Sequence, residues 1–386
     1  MTESGEEPYA GPPPTRPPDG WRPPPSPGWF PQPPSGWFPP SHPGWYPAAP
    51  PGWRPAPPTA IRWAPPPGTP PHDVPQPFLL AMRARDWAWW RPVLGLLLFG
   101  AVYLVLNVIA AVVGLLGFLA AGADLGGLPD LAVTDLTDPW VLLFVNVSLI
   151  VAIPCVWMVW AVAHGMRIGW SSSVLARLRR HLFLPFTVRA LATLGVAIAG
   201  SVAVGIVAGD PVSGPVRSFG WLLVVVVLTT PLQSAAEEYV FRGYLSQAIA
   251  GWVRAPVAGA VLAAVVTATL FSAAHGPADV LTFLDRFAFG LAASAVVWLT
   301  GGLEASIVLH AVNNVLVFVL AGALGGGAAG EESSGATGLL ELVITVVALA
   351  GYVLLVARSR KVFRPELRTA AQDLRPPESR AAVPAS

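Results

Sequence analysis

The sequence predicts an all-α fold, a polytopic membrane bundle of about eight transmembrane helices behind a disordered tail rich in Pro, Trp and Gly. Three observations predict it. Of 386 residues, 54% are hydrophobic and 12% charged, whereas soluble domains carry about 25% charged residues. The apolar residues gather in runs long enough for the roughly 20-residue helices that cross a bilayer. The loops between those runs separate by charge, some acidic and some basic. A net charge of +1 gives no sign of a nucleic-acid partner. Cys155 is the single cysteine, so a disulfide framework and a cysteine-based zinc site are both excluded. It reads as a small apolar residue inside a helix. The opening MTESGEEPYAGPPP lacks the basic, apolar, small-residue order of a signal peptide.

Residues 1–80 differ from the rest of the chain. Gly-Trp recurs at Gly20-Trp21, Gly28-Trp29, Gly36-Trp37, Gly44-Trp45 and Gly52-Trp53, a period of eight set in proline. Proline fixes φ and removes backbone donors, so this cytoplasmic tail is expected to be extended, part polyproline II, and without a core. The sharper alternative is a ligand for a Pro-recognising partner, or adhesion of its tryptophans to the membrane interface. Arg83, Arg85 and Arg91, with Trp87, Trp89 and Trp90, then form a basic and aromatic collar, the look of a cytoplasmic membrane interface.

The helical domain spans 81–360, with apolar segments near 92–121, 139–163, 188–209, 219–249, 255–276, 284–302, 303–325 and 337–357. Pro154 is expected to kink the second. Gly301-Gly302 alone separates the sixth from the seventh, which predicts a tight helical hairpin. The 122–138 loop carries Asp124, Asp130, Asp135 and Asp138 and no Lys or Arg. The 164–189 loop carries Arg167, Arg177, Arg179, Arg180 and Arg189, and the tail at 361–386 follows Arg358 and Arg360. The positive-inside rule therefore puts both termini in the cytoplasm, with an even number of spans between them.

The first three segments have no Asp, Glu, Lys, Arg or His in their apolar interiors and read as scaffold. Glu237, Glu238, Arg242, His275, His310, Asn313 and Asn314 fall in three later segments, within the 219–320 core. Ionisable groups in a bilayer cost at least a few kcal/mol each, so their gathering points to a polar site inside the bundle. Glu238 and Arg242 are spaced i, i+4 with the glutamate first, the favourable order for an ion pair. Glu237 leaves the helix about 100° away, without a local partner. A desolvated, unpaired carboxylate has its pKa raised, which suits a general base. Phe271 lies one turn before His275 and is placed to shield it; His310 and Asn314 repeat the spacing.

A carboxylate, two imidazoles and an amide supply the parts for water activation and oxyanion stabilisation. Glu237, His275 and His310 equally make a two-histidine, one-glutamate ligand set for a divalent metal such as zinc, with Asn314 beside the open position. No H-E-x-x-H, G-x-S-x-G or Gly-x-Gly-Asp pattern occurs.

These residues carry a resemblance. E-E-x-x-x-R appears as Glu237-Glu238-Tyr239-Val240-Phe241-Arg242, F-x-x-x-H as Phe271 to His275, and H-x-x-x-N as His310 to Asn314. In this order the motifs resemble the CAAX-prenyl-protease and bacteriocin-processing family, the Abi-type intramembrane proteases. The resemblance implies an eight-helix integral protein of the bacterial plasma membrane that hydrolyses a peptide bond in a peptide or protein substrate. It implies that Glu237 and His275 activate water, that His310 and Asn314 stabilise the oxyanion, and that Glu238 and Arg242 support the site. The Gly-Trp tail and the acidic Glu331-Glu332 loop depart from the family pattern.

One tension follows from helix geometry. His275 lies about 30 Å along a straight fifth helix beginning at Arg254, whereas Glu237 is expected near the inner end of the fourth. The two meet only if these helices are long and tilted, or broken at Pro231 or beyond Glu237. Two other functions use the same residues: a silent scaffold or immunity-like membrane protein, and a transporter relaying protons through Glu237, His275 and Asp285. The lack of an internal repeat counts against the transporter.

Overall fold

The computed structural model describes residues 69–120, 135–209, 212–325 and 335–372. The Gly-Trp repeats, Asp124, Asp130, Glu331 and Glu332 lie outside them. The described residues form α1 (Arg91–Ala120), α2 (Pro139–Ile150), α3 (Ala152–Val162), α4 (Phe183–Ala190), α5 (Val196–Ala208), α6 (Phe219–Val240), α7 (Ser246–Val253), α8 (Pro256–Ala274), α9 (Val280–Thr300), α10 (Glu304–Leu324) and α11 (Gly335–Phe363). Among them no strand occurs; two isolated bridges join Pro77 to Arg368 and Ser173 to Gly302.

Among the described residues, eight spans are long and apolar enough to cross a membrane: α1, α2 with α3, α4 with α5, α6 with α7, and then α8 to α11 singly. The predicted bundle is therefore what forms, with shifted ends. The third span begins at Arg180 rather than 188, and the fourth runs on to Val253.

Local chemistry sets the breaks. Pro154 cannot donate to the Ile150 carbonyl, and the second span is interrupted one residue later, at Val151. Wider π-turns at Leu191–Gly195 and Phe241–Leu245 bend the third and fourth spans without ending them. Pro231 lies inside unbroken α6, so the irregularity falls beyond Glu237 and not at the proline. Asp138 caps α2 by accepting from the Trp140 and Val141 amides, and Asp279 caps α9 by accepting from the Thr282 amide. Each such cap is worth about 1 kcal/mol.

The hairpin between α9 and α10 turns on Gly301, left-handed at φ 69°. A Cβ there would stand 2.5 Å from the Glu366 carbonyl oxygen. A Cβ on Gly302 would meet the Glu304 carboxylate at 2.6 Å and Ser173 at 2.7 Å. Gly301 is needed for its positive φ and the backbone of Glu366, and Gly302 because a charged pair is packed against the turn. Arg179 and Glu304, with side chains 1% and 0% exposed, form a two-point ion pair at 2.9 and 2.6 Å, and the Arg179 amide adds a third bond at 2.7 Å. Arg179 had been grouped with the loop arginines that set orientation; it is a buried structural residue instead.

The ends of the domain also move. Phe78, Leu79 and Leu80 are buried, the His72 ring donates to the Ala81 carbonyl at 2.7 Å, and the Thr369 amide donates to the Gln76 carbonyl at 2.8 Å. The packed region thus includes residues assigned above to both tails. Arg85 draws these two segments together through Asp73 and the carbonyls of Pro70, His72 and Gln372. Arg83 and Arg91 donate to the carbonyls of Gly251 and His164. The interfacial arginines therefore cap backbone, while Trp89 and Trp90 remain exposed. That residues before α1 pair with residues after α11 is what an even number of spans requires.

α6 runs through the middle, packed along α10, α2 and α3. Asn146 of α2 donates to the Thr229 and Thr230 hydroxyls of α6 at 2.7 and 3.1 Å, so the second span carries a polar link to the fourth.

Candidate active site

Glu237 and Glu238 leave α6 about 100° apart and meet different neighbours. Glu238 and Arg242 are both completely buried and pair at 2.8 Å. A second guanidinium nitrogen donates to the Gly290 carbonyl at 3.1 Å. Gly290 permits this because a Cβ there would lie 2.8 Å from Ala268 and 3.4 Å from the guanidinium. The His310 Nδ1–H donates to the same Glu238 oxygen at 3.0 Å. The expected i, i+4 ion pair is present, and Glu238 also orients an imidazole on α10.

Glu237 is not without a local partner, as helical spacing had suggested. Its Oε1 accepts from the Gln233 side-chain amide, one turn earlier. Its Oε2 is buried and makes no hydrogen bond among the described residues. That oxygen faces His275 Nε2 at 3.9 Å and His310 Nε2 at 3.8 Å.

His275 follows the last residue of α8, and its Nδ1–H donates to the Phe271 carbonyl at 2.7 Å. Because a carbonyl only accepts, the neutral ring keeps its lone pair on Nε2, the atom facing Glu237. His310 is fixed in the same sense by Glu238. Two imidazoles thus aim Nε2 at one carboxylate oxygen.

Gln233, which the sequence motifs did not single out, ties the third helix in. Its carbonyl oxygen accepts from the Asn314 amide and from the Ser234 hydroxyl, each at 3.3 Å, and the Asn313 amide supports Asn314 at 3.2 Å. The available signal was its position four residues before Glu237. The Phe271 ring lies 4.5 Å from His275 and 5.6 Å from His310 between centroids, with the Arg242 guanidinium carbon 4.9 Å from its centre. It screens both histidines, where shielding of one was expected.

The depth tension disappears because Glu237 lies mid-way along the α6–α7 span. From the turn at Arg254–Ala255, Glu237 is about 24 Å back along one helix and His275 about 29 Å along the next. The site opens at the end of α8, where the His275 side chain is 35% exposed, against 11% for Glu237 and 2% for His310. Asp285 makes its hydrogen bond to Thr345 of α11.

The donor types at Glu237, His275 and His310 suit zinc, but ligands of tetrahedral zinc lie about 3.3 Å apart at ordinary bond lengths. The separations here are wider, and among the described residues no group of three or more His, Cys, Asp or Glu forms a metal-holding set. As arranged, these side chains do not fit a metal.

Residues 218–316 match the family described as "Type II CAAX prenyl endopeptidase Rce1-like". This stretch resembles the Rce1-like family. It contains all three motifs and every residue of the site just described. A curated relative, the "Uncharacterized protein YyaK" of Bacillus subtilis (strain 168), is 29% identical over 105 residues, which is 26% of this chain and 34% of that protein. The match thus spans about a third of the relative's length. No solved structure matches the chain. The Rce1-like segment begins just before α6 and ends within α10, so it takes in four of the spans that build the site.

Proposed function

We propose that this protein is an intramembrane endopeptidase of the CAAX type, in which Glu237 and His275 activate a water molecule and His310 and Asn314 receive the oxyanion. The observation that carries the proposal is the convergence of two Nε2 atoms, at 3.9 and 3.8 Å, on the free oxygen of Glu237. A gap of that width suits a bridging water with three polar partners.

In this reading Glu237 takes a proton from the water while the His275 Nε2 lone pair orients it. The water oxygen attacks the scissile carbonyl, and the C=O electrons move to oxygen. Asn314 gives one amide hydrogen to Gln233 and has a second for that oxyanion. His310, whose Nδ1–H is held by Glu238 at 3.0 Å, donates to that oxygen from Nε2 when its ring carries both protons. Collapse of the tetrahedral intermediate breaks the C–N bond, and Glu237 returns its proton to the leaving amine. Every proton is accounted for by side chains of this chain, and no step passes through a metal.

The substrate is a peptide or a prenylated-protein-like chain presented at the membrane. By the positive-inside rule both termini belong to the cytoplasmic face; the fifth span, α8, then runs away from that face, and the site opens at its far end. The test is cleavage of a reporter peptide by purified protein, with metal content measured in the same wild-type and Glu237→Gln samples. Loss of turnover in Glu237→Gln and Glu237→Ala, with folding retained, is the expected result. Unchanged activity in Glu237→Ala would sink the proposal. Bound zinc that disappears with Glu237→Gln would replace it with metal chemistry at the same residues.

A further inference from the structure

A second cavity, of about 800 Å³, lies apart from the Glu237 site. Its walls include Trp157, Leu175, Leu178, Phe183 and Tyr239, and Arg177, Arg180 and His181 also line it. None of Glu237, His275, His310 or Asn314 lines it. We infer that it binds an amphiphile with an anionic headgroup, an anionic phospholipid whose phosphate meets Arg177 and Arg180 and whose chains lie on the aromatic and aliphatic wall.

Charge is the first argument. Among the described residues neither Arg177 nor Arg180 makes a side-chain hydrogen bond or ion pair, and both are exposed. The third arginine of the lining, Arg179, is committed to Glu304. The one acidic lining residue, Glu366, faces Arg179 at 3.6 Å rather than either free guanidinium. Two unpaired cations therefore remain for an outside anion.

The wall is the second argument. Leu175, Leu178, Phe183 and the Trp157 ring offer apolar surface beside those cations, and the Tyr239 hydroxyl is already engaged by Ser172 at 2.8 Å and by the Trp157 side chain. A free phosphate would leave that surface wet; an acyl chain covers it. The volume lies in the range of small-molecule sites. The cavity also sits at the arginine-bearing end of the third span, where basic pockets between membrane helices meet anionic lipid heads.

The experiment uses the purified full chain in neutral detergent, titrated with brominated phosphatidylglycerol or brominated phosphatidylcholine while tryptophan fluorescence is read. Phosphatidylglycerol is expected to bind at least about tenfold tighter, with a quenching component lost in Trp157→Phe. Arg177→Gln with Arg180→Gln is expected to abolish that preference, while Arg217→Gln, at the start of the fourth span, leaves it intact. Equal binding of the two lipids, or a preference that survives the double substitution, overturns the inference. So does competition by inorganic phosphate as strong as by the lipid, which would make this a bare anion site. Displacement by an apolar peptide with a free C-terminal carboxylate, but not by its amide, would reassign the cavity to a peptide. Peptidase activity is not the readout, so failure here leaves the proposed reaction standing.

Discussion

His310 stands between the two adjacent glutamates, its Nδ1 bonded to Glu238 at 3.0 Å and its Nε2 facing Glu237 at 3.8 Å. One imidazole thereby gives two neighbouring carboxylates different environments. Glu238, completely buried against Arg242, belongs to the framework. Glu237, with one oxygen held by Gln233 and the other free, faces the opening of the site.

The two carboxylates should separate in mutagenesis. Glu238→Gln leaves the buried Arg242 charge uncompensated, a loss on the order of 3–5 kcal/mol, and is expected to lower Tm sharply in detergent. Glu237→Gln keeps the shape of a side chain held by the Gln233 amide and, among the described residues, paired with no arginine or lysine, and should change Tm little while removing turnover. Equal effects on Tm would contradict the division.

Gln233 is expected to matter to rate more than to stability. Gln233→Leu removes the group that connects Glu237 to Asn314 and should lower kcat by about 10²-fold, the scale of losing one oriented donor at an oxyanion site. Steady-state kinetics on a reporter peptide checks this. A raised KM with unchanged kcat would mean that Gln233 binds substrate instead.

Phe271 touches both histidines and Arg242. Phe271→Ala opens a cavity at that junction and should cost about 3–5 kcal/mol, whereas Phe271→Leu should retain the fold with reduced activity. Thermal unfolding of the two variants side by side measures the difference.

The hairpin offers a purely structural test. Gly302→Ala forces a methyl toward Glu304 and Ser173, and Glu304→Gln uncouples the buried Arg179. Both should destabilise the protein without any change at the Glu237 site. A Gly302→Ala variant as stable as wild type would remove the ion pair from its place in the turn.

Acid should destabilise the fold through histidines outside the spans. Burial foremost, with the Arg91 charge, pushes His164 down to about 4; burial is also the main reason His72 is lowered. Unfolded, each binds a proton near pH 6.5. Above that pH they contribute nothing to the pH dependence. As pH falls from about 6.5 toward 4 the unfolded chain gains protons that the folded chain refuses, so stability is lost. Tm measured between pH 7.5 and 5 should fall, and less steeply in His164→Gln; a flat profile would refute the assignment.

What the sequence by itself determined was whatever depends on neighbours in the chain. Apolar runs marked eight spans because a bilayer demands length and composition, and helical periodicity alone paired Glu238 with Arg242. The three short motifs likewise named Glu237, His275, His310 and Asn314 as residues that belong together. Tertiary structure decided what those residues touch. Gln233 joins Glu237 to Asn314 only because α6 lies along α10, and Arg179 meets Glu304 across 125 residues of chain. The direction of the His310 imidazole depended on an acceptor that spacing cannot supply, the Glu238 carboxylate on another helix, whereas His275 is turned by the Phe271 carbonyl one turn earlier in its own helix. Hydrogen bonds act over about 3 Å in space, and at that range the contacts that join α6 to α10, His310 to Glu238 and Asn314 to Gln233, are made by residues far apart in the chain.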